Sequence, residues 1–158
     1  MEYDIKTSKL SLRSATIADS QDILKWRNDE TTRTNSFNAY LISAKEHEAW
    51  FESALKDNAK HLWIAQDVTG NKIGIVSFFE KEKNTAEINI NLAPEKRNQG
   101  FGVFLIKQAS QKFLNEIKIQ KIIARIKITN IVSIGAFLKA GFLEVKQADG
   151  YLVMEYIN

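Results

Sequence analysis

The sequence predicts an α/β (α+β) protein whose elements follow the order β-α-α-β-β-β-α-β-α-β-β. Apolar residues alternate with polar ones in seven short runs, as in half-buried strands, and recur every three or four residues in four helical runs. Turns that contain glycine separate several of the short runs and predict hairpins. The 158 residues are enough for one domain with a sizeable core, so residues 1–158 are assigned to a single domain.

The composition is that of an ordinary soluble globular protein, with 44% hydrophobic and 26% charged residues. No run approaches the length of a membrane span, and residues 1–4 lack the basic start of a signal peptide. The chain has no cysteine and two histidines, which argues against disulfides, a thiol nucleophile and a metal site. We therefore expect a cytoplasmic protein with no membrane partner and no metal.

The net charge of +3 raises the question of a nucleic-acid partner. Lysine and arginine are interspersed with acidic residues along the chain, whereas a dedicated nucleic-acid binder should cluster them. We expect no nucleic-acid partner.

The first strand and the first helix are predicted near the N-terminus. Leu10, Leu12 and, at the margin, Ala15 alternate with polar residues. Asp19 can cap a helix that ends near residues 26–29.

A polar segment over residues 30–39 separates this helix from the second one. Ser43 and Glu46 have the spacing of a capping box, so the second helix should begin there. Its apolar stripe is formed by His47, Trp50, Phe51, Ala54 and Leu55.

Three successive strands follow. Residues 61–68 and 72–79 flank Thr69-Gly70-Asn71, which predicts a hairpin. Residues 81–84 form the next turn, and the alternation over residues 86–92 predicts the third of these strands.

The C-terminal part begins with a long helix, predicted from Phe101 to about Glu116. Asn130 is a candidate N-cap for a last helix through Ala140, which Gly141 ends. The remaining strands are residues 121–128 and a final hairpin of residues 143–147 and 151–157 around Asp149-Gly150.

The junction between the strand that ends at Leu92 and the long helix suits an anion. The first turn of a helix has unpaired N–H groups and a partial positive charge, and glycine lets a phosphate approach the backbone. No carboxylate occurs from Gly100 until Glu116. A dinucleotide fingerprint is excluded by Leu105, and a P-loop is excluded because Phe101 follows Gly100.

The pattern Arg97-x-x-Gly100-x-Gly102, preceded by Pro94-Glu95, resembles the pyrophosphate loop of the GNAT acetyltransferases. A second similarity is Asn130-x-x-Ser133 followed by Phe137-x-x-x-Gly141-Phe142. The order of elements is that of the same family. The resemblance implies the GNAT fold, with a mixed, mostly antiparallel sheet of about seven strands and four helices.

The resemblance also implies acetyl-CoA (coenzyme A) as the acetyl donor, lying between two central strands. The family commonly has glycine where this chain has Asn98, and asparagine tolerates a left-handed backbone better than most residues. The implied cofactor residues are Asn91, Leu92, Arg97, Asn98, Gln99, Gly100, Phe101, Gly102, Val103, Asn130, Ser133 and Phe137.

Acetyl transfer needs a neutral amine, stabilisation of the carbonyl oxygen and a proton for the leaving thiolate. A backbone N–H near Leu92 can serve the oxygen. Glu87 and Asn89 share a polar strand face with Asn91, and Glu87 is the candidate base, directly or through a water. The alternative is that Glu87 lies at the solvent end of the strand.

The acid that returns a proton to the thiolate is left open by the sequence. Relatives often have a tyrosine at the position of Phe137, which has no proton to give. Tyr151, Tyr156, Ser133 and water are the alternatives.

The N-terminal pattern Trp26-Arg27-Asn28-Asp29, Arg33 and Glu46-His47-x-x-Trp50 resembles sugar-nucleotide N-acetyltransferases of the pseudaminic acid pathway. Arginines can pair with a diphosphate, and aromatic rings can stack on a base or sugar. A core position is the alternative for the histidine and the aromatic residues of the second helix. The predicted acceptor residues are Trp26, Arg27, Asn28, Arg33, Phe37, His47 and Trp50.

The sequence thus predicts an acetyl-CoA-dependent N-acetyltransferase for a small-molecule acceptor, a nucleotide-linked amino sugar. A ribosomal-protein-type N-terminal acetyltransferase and a non-catalytic acyl-CoA-binding module are the alternatives. A homodimer is the expected form if the chain assembles.

Overall fold

A computed structural model of the protein describes residues 10–157, so the expectation for residues 1–4 lies outside the described part. The seven strands form one sheet in the order β1-β2-β3-β4-β5-β7-β6, in which only β4 and β5 are parallel neighbours. The predicted mixed, mostly antiparallel sheet is confirmed. The strands are β1 Ser11–Ser14, β2 Lys60–Gln66, β3 Lys72–Lys81, β4 Thr85–Leu92, β5 Lys121–Lys127, β6 Leu143–Ala148 and β7 Tyr151–Ile157.

The described residues contain five α-helices rather than the four predicted. The extra helix lies in the segment expected to be irregular, and Asp29 begins it by accepting a hydrogen bond from the Thr32 N–H at 3.1 Å. Two short 3₁₀ turns, Ile17–Asp19 and Pro94–Lys96, complete the helical structure. The helices are α1 Ser20–Asn28, α2 Glu30–Asn35, α3 Ala44–Lys56, α4 Phe101–Glu116 and α5 Ile131–Lys139.

Each face of the sheet carries its own hydrophobic core. On one face, α4 and α5 pack on the sheet through residues such as Phe113 and Phe137. On the other face, α1 and α3 contribute Ile23, Trp26 and Phe51. Along β4, even-numbered residues belong to the α4/α5 face, so Glu87, Asn89 and Asn91 point to the α1/α2 face.

Asp19 does not cap α1 with its side chain, contrary to the prediction. Its buried carboxylate instead binds Arg13 and Lys72, each at 2.8 Å, and accepts the Thr16 N–H at 2.8 Å. The residue therefore joins β1, the start of α1 and β3. The predicted caps Ser43 and Asn130 do accept hydrogen bonds from the first turns of α3 and α5.

Within residues 10–157, no helix combines the length and apolar character that crossing a membrane requires.

Candidate functional site

The two central parallel strands separate after a short stretch of pairing. Their register runs only from Thr85–Lys121 to Glu87–Ile123, although β4 continues to Leu92. A gap therefore opens in the middle of the sheet.

The edge of β4 at this gap presents unpaired backbone groups. The Ala93 N–H donates to the Ile73 carbonyl at 2.9 Å, and antiparallel pairing alternates between bonded and non-bonded residues. The backbone groups of Ile90 and Leu92 therefore face β5, where no strand partner remains. By the same alternation, the backbone N–H and C=O of Asn91 are bonded to β3. Of the predicted cofactor residues Asn91 and Leu92, only Leu92 therefore presents its backbone groups to the gap.

A cavity of about 300 Å³ occupies the gap and is lined by residues from both faces of the sheet. The α4/α5 side of its wall includes three of the predicted cofactor residues, and the α1/α2 side includes two predicted acceptor residues. The lining residues are Arg27, Asn35, Ser36, Phe37, Asn38, Ile88, Asn89, Ile90, Ala124, Arg125, Ile126, Asn130, Ser133 and Phe137.

Glu87 lies beside this cavity and is buried. Arg125 donates from Nε to Glu87 Oε1 at 2.9 Å and from Nη2 to Oε2 at 3.1 Å. These hydrogen bonds raise the pKa of Arg125. The guanidinium also lies 5.3 Å from the centre of the Phe37 ring, so the carboxylate is held at the mouth of the gap by a cation that packs on an aromatic residue.

Two predicted acceptor residues organise the loop between α2 and α3. Asn28 donates from Nδ2 to the Ile42 carbonyl at 2.8 Å and accepts the Ile42 N–H at 2.9 Å. Arg33 donates to the carbonyls of Asn28 and Ala39. Their side chains are thus engaged with backbone and do not line the cavity.

Arg27 differs from them because it both holds the loop and lines the cavity. Its Nη2 donates to the Asn38 carbonyl at 2.7 Å, whereas its buried Nη1 has no hydrogen-bond partner among the described residues. Burial lowers the pKa of Arg27, but an arginine remains a cation at neutral pH. Such a donor can be satisfied by a water or by a ligand atom that accepts a hydrogen bond.

Of the remaining predicted acceptor residues, Phe37 lines the cavity and the other three do not. Trp26 and His47 are buried in the α1/α3 core, and burial lowers the pKa of His47. Trp50 is 43% exposed on α3 and packs against Phe51 with ring centres 6.3 Å apart. These three side chains therefore pack in the α1/α3 core or on its surface.

The loop that opens α4 has the backbone expected of an anion site. Gly100 precedes the helix at φ +84°, and Asn98 adopts φ +59°, as its tolerance of the left-handed region suggested. Gln99 is exposed and donates to the Glu95 carbonyl. The first turn of α4 contains no acidic residue. Phe101 is buried in the core, and Gly102 and Val103 are half-buried beside it.

Arg97 turns away from this loop. Its Nη1 donates to Asp29 Oδ2 at 2.9 Å, and its Nη2 donates to Thr32 Oγ1 at 2.7 Å. Thr32 Oγ1 also lies 3.2 Å from Asn91 Oδ1. The loop, α2 and the end of β4 are therefore joined by polar side chains.

The α5 side of the cavity contains one of the side chains that could return a proton to the CoA thiolate. Asn130 Oδ1 accepts the Ser133 N–H at 3.2 Å, which begins α5, and Phe137 is buried against Phe142. Of the three side chains considered as proton donors, Ser133 lines the cavity, whereas Tyr151 packs on Phe37 and Tyr156 on Phe142.

Several residues of the site were not identified from the sequence. Arg125 was not singled out, although opposite charges on the same face of neighbouring strands are a usable indication. Asp29 and Thr32 gave no comparable indication, because their partners are 59 to 68 residues away.

A sheet that opens beside a helix N-terminus suited to binding a phosphate, with polar groups on both sides of the opening, is the architecture of an acyl-CoA-dependent acyltransferase. The chain belongs to the family described as acetyltransferase (GNAT) domain, whose model matches residues 9–143. The protein is accordingly an acetyl-CoA-dependent N-acetyltransferase. Within residues 10–157, no group of three or more His, Asp and Glu side chains is placed to hold a metal ion.

Similar proteins include a spermidine N(1)-acetyltransferase of Vibrio cholerae, 27% identical over 151 residues that cover 94% of this chain and 85% of the relative. A crystal structure of the V. cholerae spermidine N-acetyltransferase with CoA and spermine superposes with a TM-score of 0.85 at 24% identity, covering 95% and 96% of the two chains. A dodecameric structure of that enzyme gives a TM-score of 0.79 at 24% identity, covering 95% and 94%. At this identity the structural likeness concerns the fold.

Proposed function

We propose that the protein acetylates the primary amine of an acceptor that also carries an anionic group, and that the acceptor is a nucleotide-linked amino sugar. The observation that supports this class is the charge of the acceptor side of the cavity. Arg27 and Arg125 line it, and none of the described lining residues is a carboxylate. The nearby carboxylate of Glu87 is already paired with Arg125.

The donor would enter from the α4/α5 face. The pyrophosphate of acetyl-CoA would lie on the backbone N–H groups between Arg97 and Val103, where the left-handed Gly100 exposes the start of α4. The pantetheine arm would pair with the free edge of β4 at Leu92. Asn130, Ser133 and Phe137 would contact the arm from the α5 side.

The reaction would take place in the gap itself. The amine nitrogen attacks the thioester carbonyl carbon, the Leu92 N–H meets the oxygen as its negative charge develops, and the C–S bond then breaks. Glu87 accepts the proton of the amine, directly or through a water, because it points to the acceptor face beside Asn89. Ser133 or a water returns a proton to the thiolate.

The size of the cavity limits which parts of the two substrates it can hold. About 300 Å³ is the volume of about ten water molecules, enough for the reacting ends of both substrates. The base and phosphates of a nucleotide sugar would therefore lie at its mouth. Phe37 lines the cavity and is 53% exposed, and Tyr40, three residues further along the 36–42 loop, is 61% exposed, so both rings are available for stacking.

A polyamine is the second candidate acceptor, because the curated relative is a spermidine N(1)-acetyltransferase. A polycation would meet the unpaired cation of Arg27 and the Arg125–Glu87 ion pair, with no free carboxylate at the cavity wall, which is unfavourable by charge. For this reason we favour the anionic acceptor. Assembly into oligomers, which the dodecameric relative suggests, and a cytoplasmic location remain predictions.

Binding of UDP, a fragment of such an acceptor that has no amine, tests the proposal. Arg27→Ala should weaken UDP binding at least tenfold by calorimetry in the presence of CoA. Arg33→Ala is the matched control, since Arg33 holds the same loop without lining the cavity, and it should change UDP affinity by less than threefold. Equal effects of the two variants, or no UDP binding by the wild type, would contradict the proposed acceptor site.

A further inference from the structure

The ion pair between Asp29 and Arg97 links two parts of the molecule that no strand or helix joins directly. Arg97 belongs to the loop before α4, and Asp29 lies at the junction of α1 and α2. Both side chains are about one-quarter exposed, so the pair is shielded from solvent more than a typical surface pair.

Thr32 extends this link to the strand that lines the gap. Its hydroxyl accepts a hydrogen bond from Arg97 Nη2 at 2.7 Å and lies within hydrogen-bond distance of Asn91 Oδ1, at 3.2 Å. An amide oxygen can only accept, so the Thr32 hydroxyl donates to Asn91. The two hydrogen bonds therefore run in one direction: Arg97 in the loop donates to Thr32, and Thr32 donates to Asn91 in β4.

Asp29 fixes the orientation of the other two residues. Its Oδ2 binds Arg97 and also accepts the Thr32 N–H at 3.1 Å, which begins α2. Burial alone would raise the pKa of Asp29, but the hydrogen bonds from the Thr32 N–H and from Arg97 outweigh it and leave the pKa below its usual value. The carboxylate is therefore an ionised anchor at neutral pH.

The network ends at both substrate sides of the cavity. Asn91 precedes Leu92, whose backbone faces the gap, and α2 leads directly into Ser36 and Phe37, which line the acceptor side. A displacement of Arg97 would therefore move both the β4 edge and the acceptor loop.

We propose that Asp29, Thr32 and Arg97 are positioning residues for the acetyl donor, which set the end of β4 and hold the phosphate loop against α2. In this arrangement Arg97 acts as a strut, and the backbone of the loop, not the Arg97 guanidinium, meets the pyrophosphate. The inference rests on the proposed donor site and is independent of the acceptor.

The competing account is that Arg97 binds the phosphates and that Asp29 merely restrains it. The two accounts differ in the effect of Asp29→Asn, which retains a capping oxygen for α2 but removes the charge. If Arg97 positions the loop, it loses its partner in this variant and CoA binding weakens. If Arg97 is a phosphate ligand, the variant releases its side chain and CoA should bind at least as well as it does to the wild type.

The experiment measures CoA affinity by calorimetry and follows the Leu92 amide by NMR during titration with S-acetylpantetheine, which has no nucleotide and no pyrophosphate. We expect Asp29→Asn to weaken CoA at least tenfold and to weaken S-acetylpantetheine by a similar factor. Glu30→Gln is the control, because it removes an exposed carboxylate from the same turn, and both affinities should stay within twofold of the wild type.

A second pair of variants separates the network from the general stability of α2. Thr32→Ser keeps the hydroxyl and should bind both ligands like the wild type, whereas the isosteric Thr32→Val should weaken both. CoA affinity that is unchanged or increased in Asp29→Asn would overturn the proposal. A loss confined to CoA, with S-acetylpantetheine binding unaltered, would also overturn it, because the network would then hold the phosphate loop without setting the end of β4.

Discussion

Arg125 holds both carboxylate oxygens of Glu87, at 2.9 and 3.1 Å, at the point where β4 and β5 separate. The two residues come from neighbouring parallel strands, and their side chains share the acceptor face of the sheet. The pair therefore fixes a carboxylate beside the gap, and its position is the basis of the proposed proton transfer.

Glu87→Gln should lower kcat by about 10²–10⁴ if this carboxylate accepts the proton of the amine, with little change in CoA affinity. Raising the pH should restore part of the rate, because more of the amine is then already neutral. Steady-state rates across pH check this. Glu155→Gln, which removes a carboxylate paired with Lys121 elsewhere in the sheet, is the control. Wild-type kcat in Glu87→Gln at every pH would assign the proton to water or another group.

Gly74→Ala should disturb the donor site from the far side of β4. A Cβ at Gly74 would lie 2.5 Å from the Asn91 carbonyl oxygen and 2.9 Å from the Leu92 Cα, so β4 must shift. We expect a loss of about 1–3 kcal/mol in the free energy of unfolding and weaker CoA binding. Urea denaturation and calorimetry measure the two effects.

Gly135→Ala provides the control for Gly74→Ala. This glycine lies within α5, and an added Cβ meets nothing within 4 Å. Alanine should therefore stabilise the protein by about 0.5–1 kcal/mol and leave CoA affinity unchanged. Normal CoA binding by Gly74→Ala would mean that the β4 edge is not the pantetheine site.

CoA should stabilise the wild-type protein by about 2.7 kcal/mol at a hundredfold excess over its Kd. Gly100→Glu should abolish this shift, because a side chain blocks the approach to the backbone and its charge repels the pyrophosphate. Gly70→Glu introduces the same residue at the same φ of +84° in a distant hairpin and should retain the shift. A Gly100→Glu protein that folds and responds to CoA would place the phosphate site elsewhere.

Asp19→Asn should destabilise the protein by about 2–4 kcal/mol at pH 7, because the buried carboxylate binds both Arg13 and Lys72. The hydrogen bond from Arg13 lowers the pKa of Asp19 below that of an unfolded aspartate. The stabilisation is therefore complete above the unfolded pKa of about 3.9, declines progressively as the pH falls below that value, and is fully lost only below the folded pKa.

Urea denaturation at pH 7 and pH 3 checks this, and the difference between wild type and Asp19→Asn should narrow at pH 3. The control is Asp22→Asn, a half-exposed partner of Lys72 whose loss should cost less than about 1 kcal/mol. A difference that does not depend on pH would indicate a packing effect in place of the charge.

Most of the fold was predictable because local patterns decide it. Alternating residues gave the strands, Ser43 and Asn130 gave the starts of α3 and α5, and Gly141 at φ +104° follows the end of α5. The helix α2 was not predicted, because its six residues have no apolar stripe and include three threonines and one asparagine, which have low helix propensity. The Asp29 cap and the contact of Arg97 with Thr32 stabilise it in the folded protein.

The candidate site was predictable on the donor side and less so on the acceptor side. A phosphate loop is continuous in sequence, so its glycines and its lack of carboxylates are visible there. Side chains that hold the acceptor loop, such as Asn28 and Arg33, bind backbone atoms five to fourteen residues away. Which arginine faces the cavity is decided by the packing of α1 against the sheet, and the sequence does not contain that information locally.

The most direct test of the account is the initial rate of CoA release with acetyl-CoA and either a UDP-linked 4-amino sugar or spermidine at equal concentrations. The account predicts that the UDP-linked sugar is acetylated with a kcat/KM at least a hundredfold above that of spermidine. It also predicts that Arg27→Ala loses this preference chiefly through KM. Efficient turnover of spermidine that is indifferent to Arg27, with no reaction of the sugar nucleotide, would contradict the anionic acceptor and leave the acetyl transfer chemistry in place.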